Sequence, residues 1–127
     1  MLGLVVAALS GATSGAAGSI TAAWSNLEVD TGFGGSDETS STVVFSGGGN
    51  RTLEFEHDVL FGVVEVKVDS GAWVRADNGY TKVVTTGQTV YIKYSCFGVD
   101  ESATLTVTDS TLAELLDTLT LSFDFNG

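Results

Sequence analysis

From Ser19 onward the chain alternates hydrophobic and polar residues with a period of two, the pattern of strands with one face buried. Ile20, Ala22 and Trp24 share a face, with Thr21 and Ala23 between them. Val43 to Phe45 reads as a short strand ending in the turn Gly47, Gly48, Gly49 and Asn50. Arg51 to His57 alternates cleanly, with Leu53, Phe55 and His57 on one side and Thr52, Glu54 and Glu56 on the other. Val64, Val66 and Val68 then point inward against Glu65 and Lys67. Later strands follow the same rule: Val90, Ile92 and Tyr94; Ala103, Leu105 and Val107; Leu119, Leu121, Phe123 and Phe125.

The punctuation between these runs is glycine, asparagine, aspartate and serine, since there is no proline among the 127 residues and there are 16 glycines. Asp77, Asn78 and Gly79 predict a hairpin, because Asn-Gly readily takes the two positive φ values of a type I′ turn. Thr111 and Glu114 have the spacing of a capping box and predict one helical turn. Asp30 to Ser41 is polar and Gly-rich and predicts a loop. Eight or nine short strands separated by turns predict an all-β protein, an antiparallel sandwich in preference to a barrel. Residues 1–18 differ. They are built from Leu, Val, Ala, Gly, Ser and Thr, and predict an extended N-terminal arm in front of a sandwich domain over 19–127.

Composition narrows the function. A chain this long buries roughly two thirds of its unfolded surface, and 43% hydrophobic content is enough to fill one core. Sixteen acids against five bases give a net charge of -11, which argues against nucleic acid or an anionic membrane as a direct partner. Leu2 to Leu9 is apolar, and no charged side chain precedes Glu28. The run lacks the basic region of a secretory signal and is far shorter than the ~20 residues that span a bilayer. Leu2, Leu4, Val5, Val6 and Leu9 are therefore candidate protein contacts. They would either add a strand to their own sandwich or lie on a neighbouring subunit.

Candidate chemistry is sparse. His57 and Asp58 are adjacent, but strand neighbours point to opposite faces and cannot orient each other as a triad requires. Glu54 and Glu56 share a face, as a solvated strand edge would. Asp30, Asp37 and Glu38 are the best candidates for a calcium ion, although their spacing is not that of an EF-hand. One Cys and one His do not make a zinc site. Cys96, between strand residues, reads as a buried thiol. Trp73 is expected in the core, packing across the sheets. The alternative exposes it, with Phe33, Tyr80 or Tyr91, as an aromatic platform for a receptor or a carbohydrate. No cofactor, metal site or catalytic constellation is expected.

Four segments add a resemblance: V-E-V-K-V-D-S-G-A-W at Val64 to Trp73, T-G-Q-T-V-Y-I-K at Thr86 to Lys93, S-A-T-L-T-V-T-D at Ser102 to Asp109 and D-T-L-T-L-S at Asp117 to Ser122. Together they resemble the Ig-like β-sandwich module of tailed-bacteriophage virion proteins and some bacterial surface proteins. The resemblance covers about half of the chain and none of residues 1–62. It implies an Ig-like sandwich. For a free-standing module with an uncharged arm it also implies a capsid decoration, or cement, protein on the virion surface. The expected partners are the major capsid protein and further copies of the same chain. A tail, head–tail junction or fibre component is the alternative within the virion.

Overall fold

The computed structural model describes residues 18–125. The candidate arm contacts Leu2, Leu4, Val5, Val6 and Leu9 lie outside the described residues. Among the described residues nine strands form a two-layer sandwich: β1 Leu27–Thr31, β2 Gly34–Thr42, β3 Asn50–His57, β4 Val63–Val68, β5 Val74–Arg75, β6 Tyr80–Thr85, β7 Thr89–Phe97, β8 Glu101–Asp109 and β9 Glu114–Phe125. The five-stranded sheet has the order β1-β9-β8-β3-β6, and the four-stranded sheet β2-β7-β4-β5. Every pairing among these nine strands is antiparallel except that of β1 with β9, which is parallel.

Two-residue periodicity is what closes the sandwich. Leu53, Phe55, Leu105, Val107, Leu119 and Leu121 project from the five-stranded sheet onto Val64, Val66, Val90, Ile92 and Tyr94 of the other, all of them almost fully buried. Each such aliphatic or aromatic side chain contributes about 1.5–3 kcal/mol by leaving water. Trp24 joins the layers from the side, donating its indole N–H to the Val90 carbonyl at 2.9 Å.

The centre of the fold is immunoglobulin-like. β9, β8 and β3 take the places of the G, F and C strands, while β2, β7 and β4 take those of B, E and D. One crossing departs from that plan. After β3 the chain visits the opposite sheet first, as β4 and β5, and only then returns to pair β6 with β3. The turn at Asp77 to Gly79 therefore passes between sheets and is not a hairpin within one. Among its residues only Gly79 has a positive φ, 89°, so the turn is not type I′.

Several local expectations are corrected. The run Asp30 to Ser41 is not a loop, since most of it forms β2, paired with β7 over nine residues. Its inward side chains are polar because they cap backbone. Asp37 accepts from the Glu28 amide at 3.1 Å, Thr39 from Ser25 at 2.9 Å and Ser41 from Ala23 at 2.9 Å. This side-chain ladder joins β2 to the segment leading into β1, where the two sheets meet edge to edge. Replacing Thr39 with Val keeps the shape and removes one rung. Chemical denaturation should show a loss of about 1 kcal/mol.

Residues 20–24 and 43–45 do not form strands and meet only in a bridge between Thr21 and Val44. Thr111 and Glu114 do not open a helix. Thr111 instead accepts from the Thr52 amide, and Glu114 begins β9. Trp73 is half-buried on the outer face of the four-stranded sheet, not in the core. Cys96 is buried, as expected.

Candidate functional site

Of the residues singled out from sequence for chemistry, His57, Asp58 and Asp37 are engaged in hydrogen bonds to the backbone. The His57 ring bonds the Ala76 carbonyl at 2.8 Å through Nε2 and accepts from the Val59 amide at 3.3 Å through Nδ1. Asp58 turns away and accepts from the Thr104 amide at 2.8 Å. Glu54 and Glu56 face outward beside Thr108 and Thr106 of the neighbouring strand. Asp30 lies on β1, whereas Asp37 and Glu38 lie on opposite faces of β2, with Asp37 also accepting from the Glu38 amide. Among the described residues no group of three or more His, Cys, Asp or Glu side chains is placed to hold a metal ion.

Of the aromatic candidates, Tyr80 packs on Phe55 with ring centroids 6.0 Å apart. Trp73 and Tyr91 stand half-exposed on the outer face of the four-stranded sheet, 6.4 Å apart and nearly edge to face. Lys93 lies 4.4 Å and Lys67 5.0 Å from the Trp73 ring centre. The strand registers set Glu38, Lys93, Glu65 and Arg75 side by side across this face. Lys93 is thus flanked by Glu38 and Glu65 and approaches Glu65 at 3.5 Å, whereas Lys67 lies opposite Tyr91.

A different surface has only Phe33 among the contact residues expected from sequence. At the end of the sandwich formed by the β1–β2, β3–β4 and β7–β8 connections, five large apolar side chains face solvent: Phe33 (64% exposed), Leu60 (82%), Phe61 (63%), Phe97 (64%) and Val99 (38%). Phe33 and Phe97 meet edge to face at 4.3 Å, and the Gly98 amide donates to the Phe33 carbonyl at 2.7 Å. Between Phe61 and Phe97 runs an open groove of about 370 Å³, floored by Val63 and Cys96 and flanked by Ser36 and Ser95. Isolated apolar residues on a surface are ordinary, whereas a contiguous group of this kind marks a contact site.

The apolar end is held from beneath by one carboxylate. Glu101 accepts from the amides of Leu60 (2.7 Å), Phe61 (2.9 Å) and Gly62 (3.0 Å) and from the Tyr94 hydroxyl (2.8 Å). Burial pushes the Glu101 carboxyl up, but these four donors outweigh it and hold its pKa below the ordinary carboxylate value. Burial foremost, and then the bond to Glu101, drives the Tyr94 phenol far above its usual range, so it stays a donor. Gly62 lets the loop lie this close, because a Cβ there would meet the Ser95 carbonyl and the Tyr94 ring at 2.6 Å. Asp100 fixes the rim by accepting from the Phe125 amide at 2.7 Å. The sequence does carry a signal for this surface: phenylalanine beside glycine recurs at three chain reversals, at Gly32 and Phe33, Phe61 and Gly62, and Phe97 and Gly98.

No family model and no curated protein matches the chain. Among solved structures, it is similar to two of a β-glucosidase from Listeria innocua, one in complex with isofagomine and one with glucose, at 11% and 12% identity. Both have a TM-score of 0.41 and cover 84% of this chain but only 16% of theirs, so the chain spans about a sixth of the glucosidase length. At that TM-score the likeness carries no argument about function.

Proposed function

We propose that this chain is a non-catalytic structural protein of a tailed-phage virion. In this reading it is a decoration protein that binds the outer capsid surface through the major capsid protein, assembles with its own copies and reinforces the shell. The observation that carries the assembly role is the apolar end, where five large side chains are held on a fixed scaffold and left uncovered. The outward faces of β8 and β9 carry mainly serine, threonine and acids, with scattered exposed apolar side chains such as Leu115 there and Val83 on β6. A module with a clustered apolar end and a strongly charged body loses apolar exposure when that end is covered. The phage assignment is supported by the resemblance of Val64 to Ser122 to virion sandwich modules.

A second reading is favoured by Trp73 and Tyr91, which offer a half-exposed aromatic face beside lysines for a glycan or a receptor.

Co-sedimentation of the full chain with emptied capsids and, separately, with tails tests the proposal. Saturable binding to capsids is expected, weakened roughly tenfold or more by Phe61→Ser with Phe97→Ser, because each change removes a large apolar contact. Binding to tails alone would move the protein to the tail. Binding to neither would overturn the virion reading, and retention on a glycan surface that fails in Trp73→Ala would establish the second.

A further inference from the structure

We infer that Asn78 is a site of spontaneous deamidation that the fold holds closed, reacting only when the turn Asp77 to Gly79 comes away from β3. The product is aspartate or isoaspartate at position 78. The reaction needs only this chain and water, and it proceeds whether or not the chain binds a capsid.

Deamidation of asparagine starts when the backbone nitrogen of the next residue attacks the side-chain carbonyl carbon, so a bulky next residue obstructs it. The chain has four asparagines: Asn26 before Leu27, Asn50 before Arg51, and Asn78 and Asn126 each before glycine. Asn126 lies outside the described residues. Glycine has no side chain to block the approach and turns freely, which makes Asn78 the reactive position within the sandwich. Asn78 and Gly79 are both exposed, so water reaches them.

Their hydrogen bonds hold the reaction back. Phe55 with Tyr80 is the last residue pair between β3 and β6, and beyond it the turn takes over the ladder. The Gly79 amide donates to the Phe55 carbonyl at 2.9 Å, and the His57 amide donates to Asn78 Oδ1 at 3.0 Å. The Tyr80 amide closes the turn on the Asp77 carbonyl at 2.9 Å. A bond to Oδ1 alone would polarise the side-chain carbonyl and favour attack. The attacking nitrogen, however, must first lose its proton, and in the fold that proton is held by Phe55. Cyclisation therefore waits on local opening, which costs less than global unfolding because the turn is exposed and sits at the end of a ladder.

Once the turn opens, the deprotonated Gly79 nitrogen bonds to Asn78 Cγ, and the bond from Cγ to the side-chain nitrogen breaks. That nitrogen takes up a proton from water and leaves as ammonia. Water then opens the cyclic imide at one of its two carbonyls. Opening at one gives aspartate, and opening at the other gives isoaspartate, whose main chain runs through the former side chain. Either product adds one negative charge to the -11 of the chain. Aspartate still offers an oxygen to the His57 amide. Isoaspartate lengthens the backbone by one carbon where the chain passes between the sheets, and shifts the Gly79 amide off Phe55.

The test ages the full-length chain at mildly alkaline pH, folded in buffer and, in parallel, unfolded in urea. Peptide mapping by mass spectrometry resolves Asn78 from Asn126 and aspartate from isoaspartate. In urea Asn78 should convert steadily, and in the folded chain at least about tenfold more slowly, because the reaction waits on opening of the turn. Equal rates in the two states, or no conversion in urea, would overturn the inference. Amide hydrogen exchange at Gly79 supplies the second measurement, since exchange and cyclisation both begin with loss of that proton. The factors by which folding slows the two reactions should agree within about threefold. A Gly79 amide that exchanges as in the unfolded chain while Asn78 stays unreacted would also overturn it.

Discussion

Replacing Asp109 with Ala is expected to lower the unfolding free energy by about 3–5 kcal/mol, with the denaturant midpoint moving and the slope of the transition unchanged. Arg51 and Asp109 form a buried ion pair at 2.8 Å, with side-chain exposures of only 2% and 0%. Neither charge has water to fall back on. Removing the carboxylate leaves a guanidinium in the interior, and that unpaired charge is the main source of the loss. For a single domain with a total stability of about 5–15 kcal/mol, this is a large fraction.

The pair also organises one end of the molecule. Arg51 donates to the carbonyls of Gly18 and Ser46, and its guanidinium lies 4.5 Å from the Phe45 ring centre. Asp109 accepts from the Thr111 amide at 2.9 Å through its other oxygen. One salt bridge thus ties the root of the arm, the turn before β3 and the turn after β8. Arg51→Met in the same chain as Asp109→Leu replaces both charges with apolar volume. The double variant should recover most of the stability lost in Asp109→Ala, since a buried pair is worth little against a hydrophobic substitute. A double variant as unstable as the single would mean that the carbonyl contacts of Arg51, and not the unpaired charge, dominate.

Alternation made the strands from Arg51 onward legible, because a period of two requires only that one face be dry. It misled where polar residues do interior work. Asp37, Thr39 and Ser41 look like loop residues by composition, yet their oxygens satisfy the amides of a strand-like segment that has no backbone partner there. Trp73 was expected inside because tryptophan is large and apolar. Instead its ring lies against Lys67, Tyr91 and Lys93 on an outer face, where amphipathic side chains cover it. Arg51 and Asp109 fall on buried positions of their strands, and only the chain's return path makes them partners. The apolar end, apart from Phe33, was missed for a related reason. Phe33, Phe61 and Phe97 lie at reversals, outside any periodic run, and period-based reasoning treats reversals as polar punctuation.

Glu101→Ala should cost about 2–4 kcal/mol at neutral pH, a figure built from hydrogen bonds to a charged acceptor and discounted for partial exposure. Glu101→Gln should cost less, since an amide oxygen still accepts. The pH dependence separates this carboxylate from a merely packed side chain. Its pKa in the folded protein is held below the ordinary value by the Leu60, Phe61 and Gly62 amides and by Tyr94, despite the opposing effect of burial. A depressed carboxyl pKa means that the unfolded chain binds the proton more readily. The stabilisation is therefore complete above the unfolded value of about 4.3 and is lost as pH falls through the lower folded value. Denaturation curves between neutral pH and about pH 3 should show the wild type losing more stability than Glu101→Gln, so that the gap between them narrows with acid. A constant gap would mean that the three amides hold their geometry without the charge. Because the same carboxylate fixes Leu60 and Phe61, Glu101→Ala should also raise the binding of a hydrophobic dye at neutral pH before any global unfolding. That result would show that the apolar end is kept as an ordered surface by the one acid beneath it.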